Sequence, residues 1–125
     1  MDKHYSLKVA EAIYLMVEQE LTNRCVVKSN VEDGIVVSAW SNCREQGYHL
    51  RVMGNIPDLC INFAQQRNSN NILVIVGTNS DFDSQTNQPS DELWERAGAT
   101  KYFQFYEREK AAIFIADLVE KAVKK

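Results

Sequence analysis

Residues 55–77 read NIPDLCINFAQQRNSNNILVIVG, and the fold turns on how this stretch divides. Asn55 suits a helix cap and Pro57 a first helical turn, while Ile56, Leu59, Cys60, Phe63 and Ala64 fall on one helical stripe. The spacing therefore predicts a helix over 55–64, stopped by the polar run RNSNN. ILVIV, at 72–76, is apolar at every position. That is the pattern of a strand covered on both faces, as in parallel sheets.

Working outward, Val9, Ala12, Ile13, Met16, Val17 and Leu21 recur at three- and four-residue spacing and predict an N-terminal helix that ends at Thr22-Asn23. CVVKSNV (25–31) and GIVVSAW (34–40) read as strands joined at Asp33-Gly34, a strong hairpin signal. YHLRVM (48–53) is a further strand, with Tyr48, Leu50 and Val52 on one face and His49, Arg51 and Met53 on the other. Ser90, Asp91 and Glu92 open a short helix carrying Leu93, Trp94 and Ala97, which Gly98 closes. KYFQFY (101–106) reads as a last strand. A final helix runs from about Glu107, with Ala111, Ile115, Leu118, Val119 and Ala122 inward.

The element order is thus α-β-β-β-α-β-α-β-α. It predicts an α/β fold, a three-layer α/β/α sandwich around a mixed five-stranded sheet in sequential order, with the later strands parallel through right-handed crossovers. The 125 residues fit one domain, 1–125, with no internal repeat and no linker. A hydrophobic content of 45% with 25% charged residues is ordinary for a globular protein, and the net charge of −3 argues against nucleic acid or anionic lipid as a partner. No apolar stretch is long enough to span a bilayer, and the N-terminal residues lack the pattern of a signal peptide. Cys25, Cys43 and Cys60 are widely spaced and outside any CxxC pattern, as expected of reduced thiols in a cytoplasmic protein.

This order resembles the core of the restriction-endonuclease-like fold: a helix, a three-stranded meander, a crossover helix and a fourth strand. The resemblance implies an acid at the start of the second strand, matched by Asp33, and an E-x-K pair on the third. Here the third strand reads His49-Leu50-Arg51, with a cation where a carboxylate would help hold Mg²⁺, so the metal-dependent cleavage of that fold is not expected.

Three sets of residues remain. Asn79, Asp81 and Asp83 have the i, i+2, i+4 spacing of a calcium loop at the carboxyl end of a strand, where open α/β sheets collect ligands. Ser84 and Ser90 stand where an EF-hand carries Gly and Glu, so only a weak cation, or a small anion near Ser90, fits this 77–90 loop. Tyr102, Gln104 and Tyr106 alternate on the last strand and suit a protein contact, as sequential order leaves that strand at the sheet edge. Trp40 and Trp94 read as packing anchors, and nothing marks a nucleophile tied to His49. The sequence thus points to a non-catalytic protein with no cofactor and no resident metal. It would work through protein contacts, dimerisation first, with a nuclease-fold relative and a small-ligand binder as the alternatives.

Overall fold

The computed structural model describes residues 2–26, 34–41, 45–54, 56–66 and 69–123. Helix α1 (Asp2–Asn23) leads into five strands, β1 (Ile35–Ser41), β2 (Gln46–Val52), β3 (Leu59–Gln65), β4 (Ile72–Thr78) and β5 (Thr100–Phe103). A short helix, α2 (Asp91–Glu95), precedes β5, and α3 (Arg108–Val123) follows it. The five strands form one sheet in the order β1-β2-β3-β4-β5, and every neighbouring pair is antiparallel.

The sequential order is as expected; the pairing and one element are not. Residues 59–65 form a strand, not a helix, and Ile56, which would have begun the helical stripe, is fully exposed. Asn55, the expected cap, lies outside the described residues, as does most of the expected strand 25–31, with the turn at Asp33. Once β3 is a strand, no crossover helix separates β2 from β4. Where β3 gives way to β4, the Gln66 N–H donates to the Asn71 carbonyl at 2.7 Å and Asn70 takes φ 60°. Asn is among the few residues that accept that left-handed conformation readily. The mixed, partly parallel sheet is corrected accordingly.

Register sorts the sheet into two faces. On one, Leu50, Val52, Ile61, Phe63, Ile72, Val74 and Phe103 pack against Val9, Ala10, Ile13, Val17 and Leu21 of α1 and against Ala111, Ile115 and Val119 of α3. The two long helices therefore share one face. They are tied together where Arg24 donates to Asp117 (2.7 Å) and Glu120 (3.1 Å). On the opposite face, Trp40, Cys60, Ala64, Leu73 and Ile75 lie under the segment that joins β4 to β5, which contributes Phe82, Leu93, Trp94 and Ala99. Both tryptophans are packing residues, as expected. Covering both faces explains why ILVIV is apolar throughout without any parallel partner.

Gly47 holds β2 close to β3. A Cβ placed there would overlap the Phe63 carbonyl oxygen and lie 2.6 Å from the Ala64 Cβ, and backbone cannot swing aside as a side chain would. Gly47→Ala should therefore destabilise the protein by about 1–3 kcal/mol, read as a lowered urea midpoint at an unchanged m-value. An unchanged midpoint would show that the strands can separate at no cost.

Candidate functional site under the 79–90 strap

Paired strands bring one row of residues into line on the second face: Ser38 of β1, His49 of β2, Asn62 of β3 and Ile75 of β4. The next row is Val36, Arg51, Cys60 and Gly77. His49 and Arg51 do share a face, as their alternation predicted. What periodicity misses is the company they keep, because the helical spacing over 55–64 takes in Asp58, Cys60 and Asn62.

Asn62 is fully buried, so its primary amide must find partners inside the protein. Its Nδ2 donates to the Asn87 carbonyl at 2.9 Å. A carbonyl only accepts, so the amide orientation is fixed and Oδ1 faces His49 Nδ1, 2.5 Å away. The imidazole therefore carries its proton on Nδ1, and Nε2 is the atom that gains a proton when the ring charges. Phe82 closes over the ring in an edge-on contact, with centroids 5.0 Å apart. Burial first, and then Arg51, hold the His49 pKa below its ordinary 6.5, against the opposing pull of the Asn62 bond.

Arg51 does not face an empty site. Its Nε donates to Asp58 Oδ2 at 2.6 Å across the start of β3. Cys60, opposite Arg51, is buried, and desolvation pushes its thiol up to about 11 despite the nearby guanidinium. The thiol stays protonated and makes a poor nucleophile at neutral pH. Of the nuclease-like positions, Asp33 lies outside the described residues, while His49 and Arg51 are engaged with Asn62 and Asp58.

The loop residues singled out by sequence serve the loop itself. Gly77 leaves room for Asp81, whose Oδ2 would lie 2.8 Å from a Cβ there. That oxygen accepts from the Thr78 N–H (2.9 Å) and hydroxyl (3.1 Å) and from Arg96 Nη1 (3.1 Å), while Oδ1 accepts from Arg96 Nη2 (3.0 Å). The Arg96 fork first, and then the Thr78 bond, bring the Asp81 pKa from 3.8 to about 2. Asp83 turns the other way, and its Oδ1 accepts from the N–H groups of Gln85 (2.7 Å) and Thr86 (3.0 Å). Asn79 is exposed and begins a 3₁₀ turn over Asn79–Asp81. Ser90 caps α2 by accepting the Leu93 N–H at 3.1 Å, which uses the group an anion would have needed. Among the described residues, no group of three or more His, Cys, Asp or Glu side chains is placed to hold a metal.

Tyr102, Gln104 and Tyr106 are all exposed, but they do not alternate on one strand. β5 ends at Phe103, Gln104 caps a 3₁₀ turn over Phe105–Glu107, and Tyr106 lies in that turn. KYFQFY reads as a longer strand because four of its six residues, Tyr102, Phe103, Phe105 and Tyr106, are aromatic and favour strands.

The Asp81–Arg96 pair generates a pH dependence whose sign follows from the lowered pKa. Its stabilisation is complete above the ordinary carboxylate pKa of 3.8 and is lost as pH falls through about 2. Asp81→Asn should cost about 1–2 kcal/mol near neutrality, and the gap to wild type should close on acidification below about pH 4. Denaturation at a series of pH values checks this, and a gap independent of pH would contradict it. Because each acid already serves its own donors, Ca²⁺ and Mg²⁺ should bind the 77–90 loop no tighter than about millimolar. Micromolar binding by calorimetry, abolished in Asp81→Asn and Asp83→Asn, would contradict that assignment.

No helix among the described residues is long and apolar enough to cross a membrane. No family model, curated protein or solved structure matches the chain.

Proposed function

We propose that this chain is a non-catalytic protein-contact module that pairs with a second copy of itself along β5. The observation that carries the reading is the exposed aromatic edge. Tyr102 on β5 is 52% exposed and Tyr106 just beyond it is 79% exposed, beside a terminal strand that pairs with β4 alone among the described residues. A terminal strand keeps a row of free backbone donors and acceptors, and such a row is a template for another strand. Tyrosine adds large contact area at low entropy cost and a hydroxyl that tolerates a wet rim. A two-fold arrangement lets one patch serve both partners.

The chemistry elsewhere supports the same reading. The acids and arginines under the strap are bound to one another or to backbone, His49 is bound to the Asn62 amide, and the Cys60 thiol is held protonated. Catalytic groups generally need a partner left for the substrate. At β5 the polar and aromatic groups face outward instead.

Light scattering at tens of micromolar tests the proposal. The expected mass is twice that of the chain, and Tyr102→Ala or Tyr106→Ala should weaken association by about tenfold or more, the scale of a central tyrosine anchor. A monomeric mass for wild type, or a dimer indifferent to both substitutions, would overturn it.

A further inference from the structure

We infer that residues 82–90 form a pH-operated strap, latched to the sheet while His49 is neutral and released when His49 takes a proton. The strap is a closed unit. Phe82 and Pro89 bridge its two ends, the Asp83 N–H donates to the Gln88 carbonyl (2.9 Å), the Asn87 N–H to the Asp83 carbonyl (2.8 Å), and the Ser90 N–H to the Asp81 carbonyl (2.9 Å). With its turn satisfied from within by the Asp83 carboxylate, the strap can leave the sheet without breaking its own hydrogen bonds.

What holds it down is short and specific. Asn87 receives the Asn62 amide and donates its own Nδ2 to Ser38 Oγ (3.0 Å) and to the Ala39 carbonyl (2.8 Å). Gln88 Nε2 donates to the Ser41 carbonyl at 2.8 Å. Phe82 lies on His49. The Asn87 and Gln88 side-chain bonds are solvent-exposed, so water replaces them readily when the strap lifts. The buried part of the latch is thus the run from His49 through Asn62 to Asn87, together with Phe82, which roofs the imidazole and packs in the cluster of Cys60, Ile75, Leu93 and Ala99.

Protonation acts at the roof. The Nδ1–H bond to Asn62 is made in either charge state, so the new proton enters at Nε2 and the new charge needs solvent or an acid. His49 is 6% exposed under Phe82. The surrounding groups offer no relief. Arg51 on the same strand is a cation that disfavours the charge, and Asp58 is engaged by Arg51. Asn62 and Cys60 of β3 are neutral, and β1 presents Ser38. In the segment above, Asp81 is held by Thr78 and Arg96, and Asp83 by its own turn. Glu45, buried just before β2, stands four residues before His49, roughly 13 Å along an extended chain. Lifting Phe82 is the move that admits water to the ring. It also breaks the Asn62–Asn87 bond, because Phe82 and Asn87 belong to one closed unit.

Linkage fixes the direction. The latched state favours neutral imidazole and the open state titrates near 6.5, so opening grows as pH falls below that value, by at most tenfold per pH unit.

Solvent exchange of the Asn62 carboxamide protons, followed by NMR and corrected for intrinsic rates, tests the strap directly. In wild type their protection should fall by about tenfold or more between about pH 7.5 and about pH 5, with a midpoint that tracks the His49 C2–H titration. His49→Gln keeps an N–H for Asn62 but cannot charge, and its Asn62 protection should stay flat across that range. Asn87→Ala keeps the carbonyl that receives Asn62 but removes the side-chain bonds to Ser38 and Ala39, and should lower Asn62 protection at both pH values. Constant protection in wild type would overturn the inference even if His49→Gln does not fold. An equal fall in wild type and His49→Gln would overturn it as well.

Discussion

A primary amide stands in the middle of the central strand, and much of the second face is arranged around it. β3 is covered on both sides, by α1 and α3 on one and by the β4–β5 segment on the other, so water cannot serve Asn62. An unsatisfied buried amide costs about 1–3 kcal/mol, a large part of the stability of a small domain. Both ends of the Asn62 amide therefore carry obligations. Oδ1 requires a donor and obtains one from His49, and Nδ2 requires an acceptor and obtains the Asn87 backbone. The first bond sets the imidazole tautomer. The second fixes where the strap crosses the sheet and so brings Asn87 and Gln88 over β1.

Much of the scaffold was legible in the sequence because its patterns had a single reading. Val9, Ile13, Val17 and Leu21 repeat with helical period and are buried on α1, and Ala111, Ile115 and Val119 do the same on α3. Alternation along β2 placed His49 and Arg51 on the face opposite Leu50 and Val52, and Ser90 caps α2. The failure came at Leu59–Gln65, a strand buried on both faces. With no polar face to reveal a period of two, its apolar residues also fit a helical stripe. The flanking strands of an antiparallel sheet then outweigh the local preference.

That one ambiguity hid the site as well. In a helix, residues two apart point roughly opposite ways, so Asp58, Cys60 and Asn62 would not have met His49 and Arg51 together. In a strand they fall in one row. Arg96 and Asn87 were illegible for another reason: their partners, Asp81, Ser38 and Ala39, are set by the path of a loop, and no period encodes that path. The spacing of Asn79, Asp81 and Asp83 suggests a cation loop, yet the Asp81 and Asp83 carboxylates shape the loop itself. Such residues often bond to nearby backbone, and here the Asp83 turn and the Thr78–Asp81 pair do so. The polar groups under the strap are thus engaged within the protein, while Tyr102 on β5 and Tyr106 just beyond it are exposed.

The protonation state of His49 tests this account most directly. Long-range ¹H–¹⁵N correlation spectra of the imidazole at neutral pH distinguish the two neutral tautomers. The account predicts the Nδ1–H form, with a slowly exchanging ring proton that shows a nuclear Overhauser contact to the Asn62 side chain. The Nε2–H form, with no contact to Asn62, would contradict both the amide orientation and the placement of β3 beside β2.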